Sequence, residues 1–311
     1  MKSWLGCAMA TLFFVGVLCA DALLPNGGFE QGRDQPTGWH LIGLHGRRVA
    51  SAHEGRSAVM VDGNGNDESF WRTEGIALKP GSLYRLSFDA RQENAAGGGA
   101  AIAGLSRVNR DFRLSDPWNR YSFVFMVPAG ATNDYVRLGQ WHAKGQLFFS
   151  DAELDPVVAI HSQFANGLEL GEGESVRGGT YRFRPNYGWP GANGHRPLLV
   201  NRAGFNSDRW LFSPGAEIVY RLRATGSSQR HAKVYVAINY YRAGALLLDA
   251  SRDNKSWVSL SSFDGRHQSG WSELPESLFP AQQIFIRLSC KGTNANFQVN
   301  SFEYESPLTG P

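Results

Sequence analysis

This chain has too little cysteine to be held together by disulfides. It carries three, and two of them, Cys7 and Cys19, fall in the apolar N-terminal stretch, leaving Cys290 alone beyond it. Stability must then come from a large core rather than from staples. Cys290 follows Leu288 at strand spacing and is expected to be a small buried hydrophobe. Charge of one sign is also scarce: 31 Lys and Arg stand against 28 Asp and Glu, a net charge of +3, without any basic cluster. That leaves no footprint for nucleic acid. No amphipathic helix of useful length can be traced. The sharp catalytic signatures are missing too: there is no His-Glu-x-x-His, no Gly-x-Ser-x-Gly elbow and no phosphate-binding glycine loop.

Long apolar runs are absent except near the N-terminus. There Lys2 precedes an apolar core, Leu12 to Leu18, and Ala20-Asp21-Ala22 offers the small residues a signal peptidase reads. The run is too short to span a membrane, and Gly16-Val17-Leu18-Cys19 is a poor lipoprotein box. Residues 1–22 are therefore expected to be a cleaved signal peptide. The mature chain would start near Leu23, have no transmembrane segment, and be secreted: extracellular, periplasmic or at the cell surface. The net charge is unchanged by cleavage, since Lys2 and Asp21 leave together.

What the chain has in quantity is glycine, proline and aromatic side chains: 36 Gly, 14 Pro and 12% Phe, Trp and Tyr. Such a composition suits many short strands joined by tight turns. The roughly 290 mature residues allow two domains at about 100–200 residues each. A plan recurs. Pro80-Gly81 leads into Leu83-Tyr84-Arg85-Leu86-Ser87-Phe88, and Pro214-Gly215 leads into Val219-Tyr220-Arg221-Leu222, each strand apolar at every second position. Tyr135-Val136-Arg137-Leu138 with the following 144–154 parallels Phe285-Ile286-Arg287-Leu288 with 291–304. Two tandem all-β sandwiches are predicted, at residues 23–157 and 165–306, with the joint near Ala159 to Asn166.

The first sandwich opens on Asn26-Gly27-Gly28-Phe29-Glu30, followed by Gly38-Trp39. With Pro80-Gly81-Ser82-Leu83-Tyr84, Trp118 to Phe125 and the closing Phe148-Phe149-Ser150-Asp151, it resembles the jelly-roll carbohydrate-binding modules found beside secreted cellulases and xylanases. The second half resembles the same galactose-binding-like superfold less closely, as a diverged copy. Its turn Ser251-Arg252-Asp253-Asn254-Lys255-Ser256-Trp257 looks like the Ser-x-Asp-Gly-x-x-Trp turn of such sandwiches, with Asn254 where Gly is commoner. The resemblance implies a structural calcium ion tying the first strand to the last. Glu30 and Asp151 stand at the matching positions, while Ser150 replaces the first of the family's paired acids. The second half has Asn300-Ser301 there, and no equivalent site is expected.

A sugar offers flat apolar C–H faces ringed by hydroxyls, so a glycan site needs exposed aromatic rings beside planar polar groups. Strand alternation sends Tyr84, Leu86, Phe88 and Ala90 inward and Arg85 and Asp89 outward; it sends Val136 and Leu138 inward and Arg137 and Trp141 outward. Trp71 is expected to join from a neighbouring strand. The candidate ligand-binding set is Trp71, Arg85, Asp89, Arg137 and Trp141, with Trp39 and Trp118 assigned to packing. The second half supplies further aromatics: Tyr187, Trp189, Trp210, Tyr235, Tyr241 and Trp271. Three functions remain open. The first is non-catalytic polysaccharide binding, with a secreted carbohydrate-active enzyme as partner. The second is a glycan-degrading hydrolase or lyase, for which Tyr240, Tyr241, Arg242, His195 and His231 are the residues to search. The third is a structural interaction module of an exported assembly.

Overall fold

Alternation is the dominant instruction in this sequence, and the chain obeys it almost throughout. The computed structural model describes residues 22–163, 168–188 and 191–309. The predicted export signal, apart from Ala22, lies outside the described residues, as do Trp189 and Asn166. Among the described residues there is no α-helix, only the 3-10 turn Glu276–Leu278 between strands. The chain folds as two tandem β-sandwiches.

The first sandwich has a rear and a front sheet of five strands each. The rear sheet runs Gly46–His53, Arg56–Asn64, Lys144–Val157, Leu83–Ala96, Asn119–Met126. The front sheet runs Trp39–Ile42, Glu68–Thr73, Arg137–Trp141, Ala100–Gly104, Val108–Phe112. Leu86, Phe88 and Ala90 from the rear and Val136 and Leu138 from the front are fully buried between them, as alternation requires. Each Leu, Phe and Val among them contributes about 1.5–3 kcal/mol on burial. Trp39 closes one end, packed edge-on to Phe29 at 5.0 Å with its indole N–H donating to the Pro25 carbonyl.

The second sandwich is built on two very long strands, Lys233–Ser251 and Gln283–Thr309, paired antiparallel along their lengths. Register shifts around Ile238, Tyr240 and Ala243 bend the pair, so that it passes from one side of the sandwich to the other. Ile284, Ile286 and Leu288 line the core, as do Val234, Val236 and Ile238. At the shift after Ile238 simple alternation fails, and Tyr240 turns outward beside Gln298. Cys290 is half-buried rather than buried, and its thiol donates to the Ser213 carbonyl. In the Ser251–Trp257 turn, Asn254 adopts a left-handed φ of 60°. Asp253 accepts the Lys255 and Ser256 amides at 2.8 Å, which holds its carboxyl down at about 2.

The internal repeat is real, but its members pair differently from the expected alignment. In the first half, one strand pair (Leu83–Ala96 with Ala100–Gly104) borders both closing strands, Lys144–Val157 and Arg137–Trp141. In the second half that place belongs to Lys233–Ser251, not to Glu217–Arg223. Glu217–Arg223 instead occupies the position of Glu68–Thr73, beside the first closing segment. A Pro-Gly turn before an alternating strand is a generic local signal, and it matched two strands that are not topological equivalents. The closing segments do correspond, which pairs Arg137 with Arg287.

The two sandwiches share one sheet. Val108–Phe112 pairs parallel with Gly204–Asn206, setting Val108 beside Phe205 and Asn109 beside Asn206. The Phe205 amide donates to the Arg107 carbonyl at 2.8 Å and the Ser207 amide to the Asn109 carbonyl at 2.9 Å. Farther along the junction, buried Asn193 bonds both the N–H and the carbonyl of Met126.

Candidate functional site

The outer side of the front sheet is assembled by register. Glu68, Phe70 and Arg72 stand outward on one strand, Arg137 and Trp141 on the next, Ile102 on the third and Asn109 and Asp111 on the fourth. Gly139 sits between Phe70 and Ile102, where an added Cβ would come within 2.3 Å of both Phe70 Cβ and the Ser69 carbonyl. The floor is thus kept low by a position that accepts no side chain. Across the seam Asn206, Arg209, Tyr240 and Gln298 complete a cleft of about 460 Å³.

Its polar groups are tied to one another. Arg137 donates through Nε to Asn109 Oδ1 at 3.2 Å, lies 3.8 Å from the Glu68 carboxylate and stacks its guanidinium over Phe70 at 5.5 Å. Asn109 Nδ2 donates to Asp111 at 3.3 Å and to Asn206 at 3.4 Å, bridging the seam. Arg209 sits 3.8 Å from Asp111 and donates to Asp208 at 2.8 Å. The two guanidinium groups that line the cleft therefore each face carboxylate, Glu68 and Asp111 balancing Arg137 and Arg209. Trp141 stands at its end, 49% exposed and stacked on His142 at 4.2 Å.

Of the five predicted ligand residues, the structure brings Arg137 and Trp141 together. Trp71 is corrected: it points into the core between Leu41 and Leu138, 2% exposed, its indole N–H donating to the Met60 carbonyl. Phe70-Trp71 offers an aromatic to either face, and the larger ring went inward. Arg85 and Asp89 do project from their sheet, but from the rear one, away from the cleft. Arg85 pairs with Asp155, and Asp89 sits within 3.5 Å of Arg56, Arg120 and His53. Trp118 lies on that rear face, stacked between His53 and the Arg91 guanidinium.

Glu30 and Asp151 do not present an oxygen cage. Glu30 accepts the Ser57 amide and hydroxyl at 2.7 and 2.8 Å, which holds its carboxyl below the usual range. Asp151 accepts from Arg56 at 2.6 Å and faces Arg120. Arg48, its side chain only 14% exposed, donates to the Phe29 and Glu30 carbonyls and to Ser57 Oγ. A guanidinium thus ties the first segment to the sheet, and these residues do not fit a calcium ion. Among the described residues no cluster of His, Cys, Asp or Glu is placed to hold a metal.

The residues searched for catalysis are dispersed. Only Tyr240 reaches the cleft; Tyr241 donates to the Gly244 carbonyl, Arg242 is exposed, and His231 faces Glu276 on the surface. His195 is buried in the junction with both ring nitrogens unpartnered, and desolvation pulls its pKa to about 4. Glu172 lines the same junction pocket, its carboxyl raised by burial.

The second sandwich has its own counterpart of the cleft face, and it is shut. Arg287, the equivalent of Arg137, is held by Asp249 through two bonds at 2.9 and 3.1 Å and covered by Trp257 at 4.3 Å. The residues that sequence reasoning missed are Glu68, Asn109, Asp111, Asn206, Arg209 and Gln298. Most depend on the parallel seam, which has no local signal.

No family model and no curated protein matches the sequence. Solved structures do. The N-terminal CBM22-1–CBM22-2 tandem domain of Paenibacillus barcinonensis Xyn10C is 12% identical over 92% of this chain and 98% of that one, with a TM-score of 0.38. The CBM22-1 xylan-binding domain of the same Xyn10C is 16% identical over 45% and 97%, with a TM-score of 0.37. These are carbohydrate-binding modules. So is the C-terminal family 22 module of Clostridium thermocellum Xyn10B, 17% identical over 43% and 98%, at a TM-score of 0.32. At such identities and TM-scores the likeness to these modules carries nothing about ligand, which must be read from the cleft itself.

Proposed function

We propose that this chain is an exported, non-catalytic polysaccharide-binding protein whose site is the front cleft. The observation that carries the reading is Trp141, a half-exposed indole at the end of a low-floored groove lined with amide, guanidinium and carboxylate groups. An exposed ring contributes nothing to the fold's core, whereas a sugar face laid on it is stripped of water while its hydroxyls reach the planar groups alongside. Because Arg137 and Arg209 are each balanced by an acid, the ligand is a neutral glycan rather than a polyuronate. The protein would hold that glycan outside the cell for a secreted carbohydrate-active enzyme supplied separately.

Affinity electrophoresis of the purified protein through gels containing neutral plant, algal and microbial polysaccharides tests this. Retardation by at least one of them is expected, weakened about tenfold by Trp141→Ala, a loss of roughly 1.4 kcal/mol. Free migration in every gel, or equal retardation of the variant, overturns the reading.

A further inference from the structure

Two tryptophans are exposed among the described residues, Trp141 at 49% and Trp271 at 44%. They occupy the same side of one continuous sheet. From the strand of Trp141 the order runs Arg137–Trp141, Ala100–Gly104, Val108–Phe112, Gly204–Asn206, Arg209–Phe212, Gln283–Thr309, Lys233–Ser251, Ser269–Glu273. Inward residues pair with inward ones at every step of the second half: Val108 with Phe205, Phe205 with Trp210, Trp210 with Val299, Val299 with Ile238. Trp271, paired with outward Tyr235, therefore shares the outer face with Arg137, Asn109 and Gln298.

The two indoles also lie toward the same end of the strands. Trp141 is beyond Arg137, on the side of Asp111; that side leads to the turn at Ser207-Asp208, to Glu303 and to Tyr235. Seven strand spacings separate them, about 34 Å at about 4.8 Å each. Trp271 is not a loose surface ring. Tyr235 packs against it at 5.5 Å and the Lys233 ammonium lies over it at 4.4 Å, itself held by Glu305 at 3.2 Å. Arg182 is likewise paired with Glu303 at 3.2 Å, so Lys233 and Arg182 beside the ring each face an acid, as the arginines of the cleft do.

We propose that Trp271 with Tyr235 is a second sugar platform and that it forms one track with the Trp141 cleft, so that the ligand is a long neutral glycan chain lying across both sandwiches. The inference rests on the cleft reading above and adds the length of the ligand and a single-site stoichiometry. The hydrogen-bonded seam holds the two platforms at a fixed spacing, so no entropy of domain alignment is lost on binding. The second sandwich, whose own equivalent cleft is closed by Trp257, Arg287 and Asp249, serves as the far end of the first one's site.

The test is calorimetric titration of the full mature chain with an oligosaccharide series cut from whichever neutral polysaccharide retards it. Wild type, Trp141→Ala, Trp271→Ala and Tyr235→Ala are compared, with thermal melts confirming that each folds. Affinity is expected to climb with length until the chain spans both platforms, at one long oligomer per protein. Trp271→Ala and Tyr235→Ala should each cost about tenfold with long chains and nothing with the shortest ones that bind, whereas Trp141→Ala weakens both. Long-chain affinity unaltered by Trp271→Ala and Tyr235→Ala, with Trp141→Ala still harmful, overturns the track and leaves the cleft reading intact. Two long oligomers per protein also overturn it. Insensitivity to all three variants removes both.

Discussion

His195 makes the fold's stability depend on pH in a window where no other shifted group loses stability on acidification. The ring is 3% exposed, lies edge-on to Phe183 and Tyr187, and has no hydrogen-bond partner on either nitrogen. Burial without a partner penalises the imidazolium, lowering the pKa from 6.5 to about 4. The unfolded chain then binds the proton between those values while the folded chain does not. Stability from this group is fully present above about 6.5 and is lost as pH falls toward 4. The whole shift corresponds to about 3 kcal/mol, of which about 2 kcal/mol is gone by pH 5. Glu30, Asp253 and Glu305 have lowered pKa values and lose their contributions only below the ordinary carboxylate range. Glu172, raised by burial in the same pocket, works in the opposite sense, stabilising more as pH falls. Urea unfolding of wild type and His195→Phe at pH 7, 6 and 5 measures the difference. Wild type should lose about 2 kcal/mol more than the variant over that span. Parallel slopes, or an imidazole that titrates near 6.5 in a proton NMR titration of the folded wild type, would refute the reasoning.

Arg48→Met strips the Phe29 and Glu30 carbonyls, Ser57 and the Glu30 carboxylate of a shared donor; a loss of about 2–3 kcal/mol in urea unfolding is expected. Chelation by EDTA at constant ionic strength should leave the melting midpoint of the wild type in place, because Glu30 and Asp151 are already engaged by Ser57 and Arg56; a downward shift reversed by calcium would show otherwise. Tyr220→Phe orphans the Trp210 indole N–H at 3.1 Å and the Tyr187 hydroxyl at 2.9 Å inside the second core, and about 2–3 kcal/mol should be lost, read from the denaturation midpoint. Gly139→Val drives a side chain into Phe70 and the Ser69 carbonyl, at about 2–3 kcal/mol of stability and with loss of glycan retardation in whatever fraction remains folded.

How far the sequence could be read depended on the range of the interaction that decides each feature. The inward sets Leu86, Phe88 and Ala90, and Ile284, Ile286 and Leu288, follow from period-two alternation, which is a property of a single strand. Arg137 and Trp141 were found the same way, because their strand has unambiguous inward residues at Val136 and Leu138. Trp71 misled because Ser69, Phe70 and Trp71 give no clean period, and only the partners Leu41 and Leu138 decide which ring goes in. Asp89 and Arg85 were assigned to the correct side of their own strand. Which sheet that strand joins, however, is set by pairing with Lys144–Val157 and Asn119–Met126, whose residues opposite Asp89 and Arg85 are more than 30 positions away in sequence. Arg48 was invisible: a lone arginine in a short strand carries no mark of tying the first segment to the sheet.

The seam also gives the proposed single site its physical basis. An unpaired edge strand is a hazard, since its free N–H and carbonyl groups invite another chain. Here two such edges, Val108–Phe112 and Gly204–Asn206, satisfy each other. The pairing fixes the second sandwich's orientation to within the tolerance of a β-ladder. It also brings Asn206 and Arg209 against Asn109 and Asp111, so that the polar network of the cleft is shared between halves. With this wall in place, the proposed glycan site does not depend on an open cleft in the second sandwich. Its closure by Trp257 over Arg287 buries polar groups in mutually satisfied bonds, which stabilises that sandwich as a rigid support. The proposed binding face and the structural support are thus divided between the two copies by topology.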